Sequence, residues 1–229
     1  MNRVADWLLL NKDKIEKGAD LLGQASEALA GSVGKLHPVL ETVFVTFAKI
    51  LKTPKGGEAG HLADTFEVVT QTLVGFQNDM DQIYREQQRT AMNKRNFGKE
   101  NQILNQYERL EDYANARPQD KQRKKEKFLN YYMEKGGDLN VNALYSDVIT
   151  DNLLEKIATI EQKNSRAVKY FYARLINLFA KGISTVLSHA ALTQSNDREA
   201  LAMQWRERMV DMENQMKTVL DDCTENVTD

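Results

Sequence analysis

The chain has 229 residues and carries 31 Lys and Arg against 33 Asp and Glu, a formal charge of −2, with 41% of its residues apolar. That apolar share supports a real core and excludes a disordered chain, while a soft scale of about 150 residues per domain gives one domain or two small ones. The 12 Gly and 3 Pro amount to about half of average usage, which excludes a many-stranded sandwich or barrel, because such folds need a turn signal roughly every 8 to 12 residues.

In chain order, the first helical segment runs from about 5 to 33 and ends at Gly31-Ser32-Val33-Gly34. Its apolar run, Trp7-Leu8-Leu9-Leu10, gives way to Asn11-Lys12-Asp13-Lys14. A secretory signal needs roughly 7 to 15 apolar residues, so none is expected here. Pro38 suits the first turn of a second helix, about 38 to 52. A loop is expected over 53–61, where Pro54, Gly56, Gly57 and Gly60 cluster. Leu62, Phe66, Val69, Leu73, Phe76, Met80 and Ile83 then recur at alternating spacings of four and three, a heptad seam. The pattern resumes at Ile103, Tyr107, Leu110 and Ala114 beyond the polar stretch Arg89 to Lys99. Either one very long helix runs over about 62 to 115 or it breaks near Gly98, and of the two we favour a kinked but nearly continuous helix.

Lys121 to Glu134 reads as a short basic helix closed by Gly136-Gly137, and Asp138 to Thr150 as a loop with one or two helical turns; 119–150 thus forms a sub-element. A second long helix is expected from Asn152, whose spacing to Glu155 suits a capping box. Its stripe runs through Leu153, Ile157, Ile160, Asn164, Val168, Phe171, Leu175, Leu178 and Gly182 to Ala190. The last helix opens at Asn196 with Glu199 in the same spacing and carries Ala202, Trp205, Met209, Met212, Met216 and Val219. The fold class is all-α: a single domain over 1–229, an elongated bundle of about five or six helices with long antiparallel, coiled-coil-like members.

Residues that could carry chemistry are few. Cys223 is the one cysteine, which excludes an internal disulfide, fits a reducing compartment, and leaves no cysteine-based metal site. Its acidic neighbours Asp221, Asp222 and Glu225 suppress a thiolate. His37, His61 and His189 lack acidic partners at the spacing of a metal-binding helix face. Gly56-Gly57 has neither the preceding strand nor the Lys-Ser or Lys-Thr of a phosphate loop. No catalytic residue, metal or cofactor is expected. Asn226-Val227-Thr228 matches a glycosylation sequon but, without a signal, reads as chance. The methionines Met203, Met209, Met212 and Met216 read as core filler.

The basic run Lys121, Arg123, Lys124, Lys125 and Lys127 has two readings, a solvated helix face or a contact for an anionic surface. The slightly acidic chain argues against nucleic acid. Two further segments, 36–51 and 170–192, are apolar around more of the helix than one buried stripe requires. Central burial accounts for them. The sharper reading is a concealed hairpin released on contact with lipid, with Phe44, Phe47, Phe171, Leu175, Phe179 and Val186 as contact residues. The longest uncharged stretch, Gly182 to Asn196, reads as too short and too polar to cross a bilayer. The expected location is cytoplasmic, with peripheral membrane contact left open.

Several phrases carry a family resemblance: Asn11-Lys12-Asp13-Lys14-Ile15-Glu16-Lys17-Gly18, His37-Pro38-Val39-Leu40, Arg89-Thr90-Ala91-Met92-Asn93-Lys94, Gly136-Gly137-Asp138-Leu139-Asn140, Phe171-Tyr172-Ala173-Arg174-Leu175 and His189-Ala190-Ala191-Leu192. In this order, over nearly the whole chain, they resemble the rapunzel family of fish proteins, itself similar to the N-terminal part of cephalotoxin-like proteins. The resemblance implies a protein with no known enzymatic activity, associated with fin and skeletal development and innate immune signalling, and it supplies no site residues. A bundle like the soluble forms of helical pore-forming proteins is the expectation that follows by analogy. Two functions are carried forward: latent membrane interaction through 36–51 and 170–192, or an intracellular adaptor that binds other proteins. The partner is membrane lipid or protein, and a homo-oligomer stays open.

Overall fold

A computed structural model describes residues 38–51, 58–85 and 99–225. The expected first helix, the polar stretch after Arg85, His37 and the sequon lie outside these residues. Among the described residues there are eight α-helices and no strand: α1 (Pro38–Leu51), α2 (Glu58–Arg85), α3 (Glu100–Ala114), α4 (Lys121–Glu134), α5 (Leu139–Ile149), α6 (Leu153–Ile160), α7 (Ser165–Leu192) and α8 (Arg198–Glu225). A 3-10 turn, Pro118–Asp120, leads into α4.

The two seams read from the sequence face the core. Leu62, Phe66, Val69, Leu73 and Phe76 are buried on α2, and Trp205, Met209, Met212, Met216 and Val219 on α8. Met203 falls off that stripe and stands 64% exposed, so it is not the core filler expected. The described helices outnumber the five or six expected because two stretches divide where periodicity alone runs on and one expected loop is a helix.

The first division separates α2 from α3. Tyr107 packs against Phe66 with ring centroids 5.2 Å apart and the rings tilted at 36°, and its hydroxyl lies 3.3 Å from Thr70 Oγ1. In one continuous helix, residues 66 and 107 would be about 60 Å apart. The chain therefore folds back between them, and the expectation of a nearly continuous helix over 62 to 115 is overturned. The shared heptad phase arises because both helices bury a stripe against the same core. Helix α2 also begins earlier than expected, taking in residues 58–61 of the predicted loop.

The second division is at 161–164. Gln162 and Lys163 adopt left-handed backbone, φ 52° and 59°. Lys163 N–H reaches back to the Ala158 carbonyl while Gln162 N–H reaches that of Thr159, the reciprocal pair that ends a helix. Ile160, counted in the buried stripe, is consequently half exposed. Asn152 makes no side-chain cap and is itself left-handed at φ 51°, so the expected capping box there does not form. The last helix likewise starts one turn-position late, with Asp197 supplying the carbonyl to Leu201 N–H. The third difference is at 138–150, where the expected loop is the three-turn helix α5. Its buried Val141, Leu144 and Val148 give a helical spacing that the flanking polar residues obscure.

Helix α7 occupies the centre and packs against α1, α2, α3, α5, α6 and α8, whereas α4 lies at the periphery on α3. Its pairing with α8 is antiparallel: Phe179 meets Trp205, centroids 6.4 Å apart, while Tyr172, two turns earlier, feels the charge of Glu213, two turns later. Gly182 lets α5 come close. A Cβ built there would lie 2.8 Å from Val141 Cγ2 and 3.5 Å from Ile103 Cγ2.

Candidate functional site

Helix α7 begins where Asn164 turns its side chain onto the first turn. The Oδ1 atom accepts from the backbone N–H of Arg166 at 3.1 Å and of Ala167 at 3.2 Å, as an asparagine N-cap does. The helix ends where Gln194 adopts φ 53°, with Ser195 N–H bonded to the Ala190 carbonyl and Gln194 N–H to that of Ala191. Between these caps 28 residues run without a break, about 42 Å at 1.5 Å per residue.

By length and composition this helix can cross a membrane: its most apolar 18-residue window has a mean hydropathy of 1.3. The uncharged stretch read from the sequence is shorter because it begins after Lys181, which the apolar part of the helix includes. In the bundle, 83% of that window is buried, as is usual for the core helix of a soluble protein.

Phe171, Leu175, Phe179 and Val186 of α7 are all buried, and so are Phe44 and Phe47 of α1. The six belong to one contiguous core, and α1 packs directly on α7. Both apolar segments thus share one interior, shielded from solvent by the same neighbours.

Polar groups on α7 lie both at the margins of the core and within it. Arg174 donates two hydrogen bonds to Glu100, 2.6 and 2.9 Å long, which join the first turn of α3 to the centre of the core. Lys181 lies 5.6 Å from the centroid of the Tyr107 ring. It lines a cleft of about 310 Å³ with Thr70, Tyr107, Glu111 and Asn177. Burial lowers its ammonium pKa, and Glu111 opposes the shift. Ser184 and Thr185 return their hydroxyls to the carbonyls four residues back. Among the described residues the buried hydroxyls of Tyr172 and Ser188 have no hydrogen-bond partner. Burial and the charge of Glu213 raise the Tyr172 phenol far above its ordinary range. Across the bundle, Arg206 of α8 bonds both carboxylate oxygens of Glu41 on α1 at 3.2 Å.

The basic run is divided in its roles. Lys121 donates to the Ala114 carbonyl at 2.7 Å, closing α3, and sits 5.0 Å from the Tyr113 ring centroid. Arg123 pairs with Asp120 at 2.9 Å, and Lys124 with Asp112 at 3.0 Å. The Lys124 hydrogen bond holds the Asp112 carboxyl below the usual range. Lys125 and Lys127 make no ion pair among the described residues. Phe128 and Tyr132 turn inward, and Tyr131 is half-buried.

His189, in the last turn of α7, stacks on Tyr132 with centroids 4.1 Å apart. Burial lowers its pKa and Asp138 pulls it back up. Cys223 is buried, and burial, more than the neighbouring Asp222, raises its thiol. Among the described residues no three His, Cys, Asp or Glu side chains converge as a metal site requires.

Sequence reasoning missed the Glu100–Arg174 and Glu41–Arg206 pairs, which join residues 74 and 165 positions apart. It also missed Arg208, which lies over the Trp205 and Tyr145 rings and donates to Asn142 at 2.6 Å. No local spacing signals the Glu100–Arg174 and Glu41–Arg206 pairs, whereas Arg208 stands three residues after Trp205 on one helix face. Met133 and Leu139, both strongly exposed, did carry a signal, since they flank the Gly136-Gly137 turn.

Residues 54–229 match a family model described as the cephalotoxin-like middle helical domain. The protein rapunzel of Danio rerio is 20% identical over 217 residues, which cover 92% of this chain and 95% of that protein. No solved structure matches. The resemblance read from the sequence phrases is borne out, with one adjustment: the matched family is described as a middle domain of cephalotoxin-like proteins, not their N-terminal part.

Proposed function

The chain belongs to the cephalotoxin-like middle helical domain family, and from that membership we propose that it is a non-enzymatic helical protein holding a membrane-length helix in reserve. The observation that carries the proposal is α7: a 28-residue helix apolar enough to cross a bilayer, packed at the centre of the bundle beside the equally apolar α1. Moving a large apolar side chain from water to lipid is favourable by about 1.5 to 3 kcal/mol, and removing it from the core costs a similar amount. The two nearly cancel, so the outcome depends on smaller terms, such as anionic lipid and the polar pairs Glu100–Arg174 and Glu41–Arg206 that join α7 and α1 to their neighbours.

The test is dye release from vesicles, expected to be weak for neutral lipid and stronger for anionic lipid. Trp7→Phe leaves Trp205, packed on Phe179, as the sole tryptophan. Its quenching by brominated lipid reports whether the core reaches the bilayer. Val186→Asp, with folding checked by circular dichroism, should abolish release, because a charge at membrane depth costs about 2.5 to 3.5 kcal/mol on insertion scales. A wild type that neither binds nor permeabilises vesicles of any composition sinks the proposal. The second reading then takes its place, an adaptor that binds other proteins. It is supported by the burial of all six candidate contact residues as ordinary core.

A further inference from the structure

Two of the most exposed large apolar side chains among the described residues, Met133 at 66% and Leu139 at 67%, occupy the corner between α4 and α5. Scattered single apolar residues on a surface need no account. These two are joined on one seven-residue turn that is firmly built. Gly136 and Gly137 take φ 93° and 54°, conformations that side-chain-bearing residues rarely adopt. Gly137 N–H bonds the Tyr132 carbonyl at 2.7 Å, and Leu139 N–H that of Gly136 at 2.9 Å. Asn140 donates to the Lys135 carbonyl at 2.7 Å, and the buried Gln106 to that of Gly137 at 3.1 Å. The apolar pair is therefore presented on a fixed scaffold.

The charge beside this corner departs from that of the molecule. Helix α4 carries Lys121, Arg123, Lys124, Lys125 and Lys127 against Glu126 and Glu134, five positive against two negative, in a chain whose net charge is −2. Lys125, Leu129 and Met133 follow at four-residue spacing along one flank, which puts the lysine about 12 Å behind the exposed methionine. Lys127 is exposed and makes no ion pair among the described residues. Glu134, Lys135 and Asp138 on the turn itself leave it at −1, so the positive charge lies behind the tip and not on it.

We propose that this corner is the surface by which the protein first docks on a membrane of anionic lipid, Met133 and Leu139 entering at headgroup level while Lys125 and Lys127 of α4 face the phosphates. The inference rests on the membrane reading above and adds its point of entry. The corner also touches the reserve helix, since Tyr132, whose carbonyl anchors the turn, stacks on His189 in the last turn of α7. A docked corner thus lies against the end of the helix that would follow it into the bilayer.

The experiment is co-sedimentation of the full chain with vesicles of phosphatidylcholine alone and of equal parts phosphatidylcholine and phosphatidylserine. Wild type is expected to bind the mixed vesicles, less so as salt rises, and the neutral ones hardly at all. Met133→Ser with Leu139→Ser should weaken that binding about tenfold or more. Lys125→Glu with Lys127→Glu should weaken it comparably. Met133, Leu139 and Lys127 are exposed and Lys125 is half-buried, so thermal midpoints should move little, the charge reversal near Asp112 costing about 1 kcal/mol or less. Equal binding by the serine variant, with dye release intact, overturns the docking site and leaves the membrane reading standing. Equal binding of wild type to both vesicle types overturns the charge match. Failure of wild type to bind or permeabilise either vesicle overturns both proposals together.

Discussion

Gly182 is the residue at which the packing of the core is tightest. A Cβ there would meet Val141 Cγ2 at 2.8 Å, closer than real contacts allow, so Gly182→Ala should destabilise by about 1 to 3 kcal/mol through overpacking, against the small gain expected from helix propensity. Adding Val141→Ala should recover part of the loss, and a double-mutant cycle in urea measures the coupling. His189 gives the other residue-scale expectation. Burial lowers its folded pKa below the unfolded value of about 6.5, with Asp138 opposing. The unfolded chain then binds more protons below that pH, so stability falls as pH drops through the window and does not depend on this group above it. Denaturant midpoints taken from neutral pH to pH 5 should show the fall, and His189→Gln should flatten it. Neither residue could be singled out for these roles from the sequence, because Val141, Tyr132 and Asp138 reach them only through tertiary packing.

Among the elements, α4 shows how a charge run divides between structure and surface. Lys124 is held by Asp112, whereas Lys125, its sequence neighbour, makes no ion pair among the described residues. Lys124→Glu should set two carboxylates against each other and return Asp112 toward or above the ordinary carboxylate range, a change visible in its NMR titration. The stability loss should be about 1 kcal/mol or less, because the pair is partly exposed. Lys125→Glu should leave both readouts unchanged. The extents of α1 and α4 were legible in the sequence because Pro38 and the Gly136-Gly137 pair punctuate them with residues that can do little else. The breaks within 161–164 and between α2 and α3 were not. At Gln162 and Lys163 ordinary residues accept left-handed backbone under tertiary constraint, and a heptad phase persists across a chain reversal when both arms face one core.

For the whole molecule, the centrality of α7 has a thermodynamic signature. Because α7 packs on six of the other seven described helices, losing it removes a face from nearly every element, and unfolding should be one cooperative transition. In Trp7→Phe, the fluorescence of Trp205 and the helical circular dichroism signal should then trace the same urea curve. Separated midpoints would show that the bundle melts in parts. The all-α class was readable from the scarcity of Gly and Pro and from the two seams. The candidate contact residues were readable as unusually apolar, but whether such residues lie inside or outside depends on the neighbours that the fold assembles around them.

The position of α7 in the chain has a consequence for biosynthesis. The helix that completes the core is encoded at residues 165–192, so a ribosome makes α1 to α6 before it makes the element they pack against. At elongation rates of about 5 to 20 residues per second, roughly 7 to 28 s separate the synthesis of Leu51 from that of Leu192. During that interval Phe44 and Phe47, together with Ile103 and Tyr107, have no α7 to cover them. A nascent chain of this design depends on early holding by chaperones or on provisional contacts among its first helices, and a fragment that stops short of Ser165 should aggregate where the full chain folds.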